Sequence, residues 1–289
     1  MTIDLAAASS FMATHGRLLD RRRYQALLGT GGATEVFAAL DAYRNPDGGY
    51  GWGIEPDLRA AESQPAGAMH ALEVLAEHTV VTPRSVELCD WLDRQTLTDD
   101  GLPFALPIRD PSGCAPFWTD ADHTVSSLQL TAQVAANALL VAPHDPAIAG
   151  HRWLARATDY CVRAIRAVDS ELAAHELLFA LKFLDAATER VPEVQELLER
   201  LGRFIPPDGC VPVAGGGEDE MLRPLDFAPH AGRPVRALFA RAVIDADLER
   251  LAALQQPDGG WVVDYASFSP IAALEWRGYV TVRAVEILR

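Results

Sequence analysis

The sequence has little of what most enzyme signatures are built from. Its four cysteines, Cys89, Cys114, Cys161 and Cys210, contain no CxxC pair, so neither a zinc-finger spacing nor a redox dithiol is present. There is no glycine-rich nucleotide loop, no G-x-S-x-G nucleophile element and no H-E-x-x-H pair, which argues against P-loop, α/β-hydrolase and zincin chemistry. No apolar run is long enough to span a bilayer, and the N-terminus lacks the basic-then-apolar order of a secretion signal. A soluble, cytoplasmic protein with reduced thiols is therefore expected. Basic residues are outnumbered, 25 Lys and Arg against 40 Asp and Glu, for a formal charge of −15. So acidic a surface repels phosphate backbones and points away from nucleic acid. Strand-like alternation is confined to "CVPV" and "WVVDY".

What remains is helix. Ala, Leu, Glu and Arg fill 64–79, 83–95, 124–141, 171–187, 191–203 and 273–288, with apolar residues at three- and four-residue spacing. The loops between these helices repeat. "YRNPDGGYGW" at 43–52 returns as "LQQPDGGWVV" at 254–263, with weaker echoes at 97–104 and 205–212. Aligning Asp47, Asp100, Asp208 and Asp258 gives a period near fifty with one copy missing, the mark of stacked helical hairpins. Gly supplies positive φ at each turn, and Asp binds its own backbone there. The expected fold is all-α, a single α/α toroid over 1–289 with outer helices at 33–43, 83–95, 191–203 and 245–255. Each long loop (46–63, 99–122, 206–231, 257–271) runs from an outer to an inner helix, so all four should gather at one face. That face collects Asp57, Asp120, Asp122, His123, Asp226, His230 and Asp264 among many aromatics.

"Gln255-Gln-Pro-Asp-Gly259-Gly-Trp261" fits a Q-x-x-x-G-x-W element, and "NPDGGYGW" is a degenerate copy. On these motifs the chain resembles the terpenoid cyclase and protein prenyltransferase superfamily, whose α/α toroid has about this length. The resemblance implies that Gln255 and Trp261 tie outer helices together. "DADHT" at 120–124 is similar to the D-x-D-D-T motif of squalene-hopene-type cyclases, matching at Asp120, Asp122 and Thr124 and departing at His123. Carried over, Asp122 is the general acid that protonates an isoprenoid, and Asp120 and His123 tune it. Aromatic walls would shield the carbocation, with Trp52, Trp118, Phe104, Trp261, Tyr265 and Trp276 as candidates, and Asp57 and Arg59 binding a polar head. Asp122 equally suits the cap of a helix beginning near Thr124.

Known cyclases of this type build their cavity between two domains, so a second chain or a homo-oligomer is a candidate to complete it. "Asp208-Gly-Cys210" has the letters of a prenyltransferase zinc pair, with His123 or His230 as third ligand, but it coincides with the repeat turn. No resident metal or cofactor is expected. Mg²⁺ enters only with a diphosphate substrate, for which the acids of "GGGEDEM" at 215–221 are candidates. Arg277, on an apolar helix, calls for an acidic partner, with Asp57 or Glu55 in reach. Helical rings also serve glycosidases, which need two carboxylates at a defined separation. The alternative to catalysis is a binding or scaffold ring.

Overall fold

A computed structural model describes residues 3–217, 220–265 and 267–289. Among the described residues it is all-α but for one two-stranded ladder. The α-helices are α1 (Leu5–His15), α2 (Leu18–Leu27), α3 (Ala33–Leu40), α4 (Pro65–Ala76), α5 (Pro83–Gln95), α6 (Pro116–Thr119) and α7 (Leu128–Val141). They continue as α8 (Pro146–Ala149), α9 (Arg152–Arg166), α10 (Ala174–Ala186), α11 (Val194–Gly202), α12 (Pro224–Phe227), α13 (Arg241–Ala253) and α14 (Pro270–Leu288). "CVPV" does form a strand, β1 (Val211–Pro212), pairing antiparallel with β2 (Met221–Leu222), whereas "WVVDY" stays irregular.

Two kinds of helix alternate. In α4 nearly every residue is buried, and in α7 ten of fourteen are, so both helices are largely enclosed. They pack on each other, and α7 packs in turn on α10. By contrast α5, α9 and α11 keep one buried stripe, such as Trp153, Leu154, Ala157, Cys161 and Ile165 on α9. The chain's ends meet, because α14 packs against both α1 and α2. Here the Q-x-x-x-G-x-W element works as a clasp. Gln255 accepts from the Asp4 N–H (2.8 Å) and donates to the Asp4 and Gly259 carbonyls. Trp261 is fully buried with Phe11, Met12, Tyr24 and Val285, its indole N–H on the Leu251 carbonyl at 2.8 Å.

The repeat turns share one mechanism. Asp47, Asp208 and Asp258 each accept the N–H two residues on, at 2.9, 3.1 and 3.2 Å, and the intervening Gly48, Gly209 and Gly259 have φ of 92°, 76° and 93°. The second copy sits one residue earlier than its Asp-Gly pair suggests. Asp99 is the turn aspartate there, accepting from Gly101, and Asp100 takes the glycine's place with φ 77°. Arginines of α5, α9 and α11 brace loop and helix ends. Arg94 donates to the Asp47 carbonyl, Arg163 to that of Asp99, and Arg200 to three carbonyls at 165–168.

The helix expected from 124 begins only at Leu128. Ser127 is its cap, accepting from the Leu130 N–H, while the Ser127 N–H is drawn to the Leu102 carbonyl. Residues 124–126 therefore belong to the loop, and Asp122 caps no helix.

Candidate functional site

The loops meet around Asp57. Leu58 bridges Cys114, the Asp57 carbonyl accepts from the Ala115 N–H, and Gln64 pairs with both backbone groups of Leu106. The Asp57 carboxylate reaches the last loop, accepting from the Phe268 N–H at 3.0 Å and the Trp276 indole N–H at 2.8 Å. Burial pushes its carboxyl up, those two donors pull it down, and Glu55 adds to the rise. Arg223 and Asp264, 3.7 Å apart, join the 206–231 loop to the 257–271 loop.

Beneath these loops lies a chain of ionisable groups. His70 and Glu73 share one face of α4 and Glu77 caps its C-terminus, at three- and four-residue spacing. His70 Nε2 is 2.7 Å from Glu55 Oε2, and its Nδ1 is 3.7 Å from Glu73. Glu73 accepts from Tyr279 OH at 2.9 Å and from Arg23 at 2.7 Å, and Arg23 also holds Glu77. Burial alone would lower His70, but Glu55 and Glu73 outweigh it and raise the imidazole to about 9. Burial likewise opposes ionisation of Glu73, yet Arg23 and His70 hold it far below the usual range. At neutral pH His70 is therefore an imidazolium and Glu73 a carboxylate beside the Arg23 guanidinium.

Two further stripes have the same spacing. On α14 they are Trp276, Tyr279 and Arg283, and on α10 His175, Phe179 and Lys182. Trp276 stands edge-on to Tyr279 (5.4 Å) and Tyr265 (5.8 Å), and both Trp276 and Tyr279 lie within 6.1 Å of the His70 ring. Lys182 lies over Phe179 at 5.6 Å. Burial and then Arg283 lower the Lys182 amine to about 8, against the pull of Asp226 and Glu73. Asp226 is raised by burial, its one resolved hydrogen bond being from the Arg223 N–H. Lys182, Asp226, Tyr279 and Arg283 all keep partial solvent exposure.

Of the residues the sequence nominated, Asp57, Trp276 and Tyr265 belong to this assembly. Arg59 is at its edge, donating to Glu275 at 2.7 Å. Phe104 and Trp118 stack at 4.5 Å in a separate cluster with Leu58 and Cys114, where the Trp118 indole N–H has no partner. Trp52 is 57% exposed and bonds Asn45, and Trp261 is core rather than wall. Arg277 pairs with Asp258 at 2.7 Å and covers Phe11, not Asp57 or Glu55. Asp120, Asp122 and His123 are all exposed. Asp122 accepts from the Thr124 N–H and hydroxyl, which hold its carboxyl below the usual range. It lacks the apolar walls a protonated donor needs.

His70, Glu73, Lys182 and Arg283 escaped the sequence reading. Their signal is a polar stripe at i, i+3 or i+4, and i+7 on an otherwise apolar helix. Lys182 has a second one, since it is the sole lysine among 25 basic residues. Glu218 and Asp219 of the acidic loop lie outside the described residues. Among the described residues no group of three or more His, Cys, Asp or Glu is placed to hold a metal, and no helix is long and apolar enough to cross a membrane. No protein-family model matches the sequence, and no curated protein matches it.

Proposed function

We propose that the helices close into an α/α ring whose inner helices turn their polar stripes toward a central recess, where the protein binds a small hydrophilic molecule and exchanges a proton with it. The observation that carries this reading is the joining of the stripes on α4 and α14 by Tyr279–Glu73 and of both to the loop face by Glu55–His70 and Asp57–Trp276. Buried charge is costly, and apolar residues of similar volume often serve stability as well. A fold-only role therefore gives little reason for so many ionisable groups. Lys182, lowered by burial to about 8, is suited to take and give a proton near physiological pH, and burial raises the Asp226 carboxyl as well. Trp276 and Tyr279 offer aromatic edges and faces for a ligand's apolar side.

The resemblance to class II cyclases bears on scaffold more than chemistry. Its support is the clasp of Gln255 and Trp261. An acid at Asp122 is poorly served by an exposed carboxylate, and a recess lined with charged groups would trap the carbocation of an isoprenoid.

A thermal-shift screen of polar metabolites and linear C10–C30 isoprenoids separates the readings. Polar ligands should stabilise the wild type and Asp122→Asn alike, and Asp226→Asn much less. Turnover of an isoprenoid that disappears in Asp122→Asn would overturn the proposal in favour of cyclisation. Polar ligands that bind wild type and Asp226→Asn equally would remove the recess as their site.

A further inference from the structure

We propose that a cavity at the start of α14, apart from the recess, binds an uncharged and largely apolar small molecule that carries one hydrogen-bond acceptor such as a carbonyl. The proposal goes beyond the recess reading and does not depend on it.

The cavity lies between the 257–271 loop and the first two turns of α14, with a volume of about 400 Å³. Sites for small molecules span about 300–1,000 Å³. Val262, Val263, Phe268, Pro270 and Ala273 give it apolar walls, with the Tyr265 ring among them. Val262, Phe268 and Pro270 are exposed, so the cavity opens to solvent. Ile271 and Leu274, next in sequence to Pro270 and Ala273, are 59% and 42% exposed and continue the apolar surface. Pro270, Ala273 and Arg277 share one face of α14 at three- and four-residue spacing. Trp276, Tyr279 and Arg283 lie about 120° round the helix from them, at 100° per residue. One helix therefore serves two separate places.

The polar groups of the cavity decide the ligand's chemistry. No acid is among the described residues that line it. Its cation is matched, because Arg277 donates from Nη2 to Asp258 at 2.7 Å and from Nε to the Trp261 carbonyl at 3.2 Å. An ionic ligand would lose hydration here without gaining a counter-charge, whereas apolar walls reward a hydrocarbon or aromatic body. Ser269 Oγ is spent on the Ala272 N–H at 3.1 Å, and Ser267 Oγ is closed off from solvent. That leaves the second amino group of Arg277. Nη1 makes no hydrogen bond among the described residues, and the side chain is 22% exposed. A free N–H at the edge of an apolar cavity calls for an acceptor on the ligand.

The test is an NMR titration of the full-length protein with 2-acetonaphthone, with naphthalene and 2-naphthoate as comparators. The ketone should bind saturably, one to one, with amide shifts concentrated in 262–277, and 2-naphthoate should bind more weakly. Arg277→Met should weaken the ketone about tenfold, the effect of one hydrogen bond to a charged group, and leave naphthalene unchanged. Ala273→Phe should abolish binding of both by filling the cavity. Ala273→Leu, a smaller addition at the same half-buried position, should weaken both and keeps the test open if the phenylalanine variant does not fold. No saturable binding by the wild type, or unchanged affinity in folded Ala273→Leu, overturns the site. Tighter binding of 2-naphthoate than of the ketone, or equal ketone affinity in Arg277→Met, overturns the ligand class.

Discussion

Replacing His70 by glutamine isolates one titrating group in the buried chain. The imidazole is only 5% exposed and lies between two carboxylates, with its pKa raised from 6.5 to about 9. At about 1.4 kcal/mol per tenfold change in proton affinity, that rise corresponds to about 3 kcal/mol of folding stability. Because the folded-state pKa is the higher one, the contribution is complete below pH 6.5 and is lost as the pH climbs to 9. Urea unfolding of the wild type should thus lose about 3 kcal/mol more than His70→Gln between pH 6 and pH 9.5. Other groups, including the buried thiols, titrate in both proteins and cancel in the difference. If the two stability profiles run parallel, His70 is not charged in the folded protein and the carboxylate–imidazolium chain is misassigned.

Three other substitutions test separate parts of the account. A Cβ at Gly67 would fall 2.1 Å from the Tyr50 carbonyl oxygen, so Gly67→Ala should cost about 3 kcal/mol or more in urea unfolding. Trp261→Ala empties a core site next to Phe11 and Val285 and should cost about 3–5 kcal/mol in urea unfolding. Asp122→Asn removes an exposed carboxylate bonded only to Thr124. It should alter stability in urea unfolding by less than about 0.5 kcal/mol.

Helix content and the turn chemistry were legible because both follow local rules. The apolar spacing of 83–95 matches α5 residue for residue, and each repeat turn closes through its own aspartate. The shift from Asp100 to Asp99 shows the limit. Asp-Gly was read as a pair, whereas the turn needs Asp followed by any residue tolerating positive φ, and Asp100 does so. The late start of α7 has a long-range cause, since Leu102 takes the Ser127 N–H from another part of the loop. Asp57 was legible as a loop carboxylate, but its bonds to Phe268 and Trp276 span 211 and 219 residues and leave no local trace. The exposure of the "DADHT" aspartates was hidden for a related reason. A motif carries residue types, and whether an aspartate is enclosed depends on neighbours far along the chain. The stripes on α4, α10 and α14 were the readable signal that went unused. Hydrophobic periodicity directs attention to the apolar face, and these polar residues break it at the same helical period.

Lys182 gives the most direct measurement of the central claim, because it is the only lysine. Protein labelled with ¹³C-lysine yields a single side-chain Cε resonance that can be followed from pH 6 to pH 11. The proposed recess, with Lys182 buried in it, predicts a midpoint of about 8. A midpoint near the ordinary lysine value of about 10.4 would contradict it.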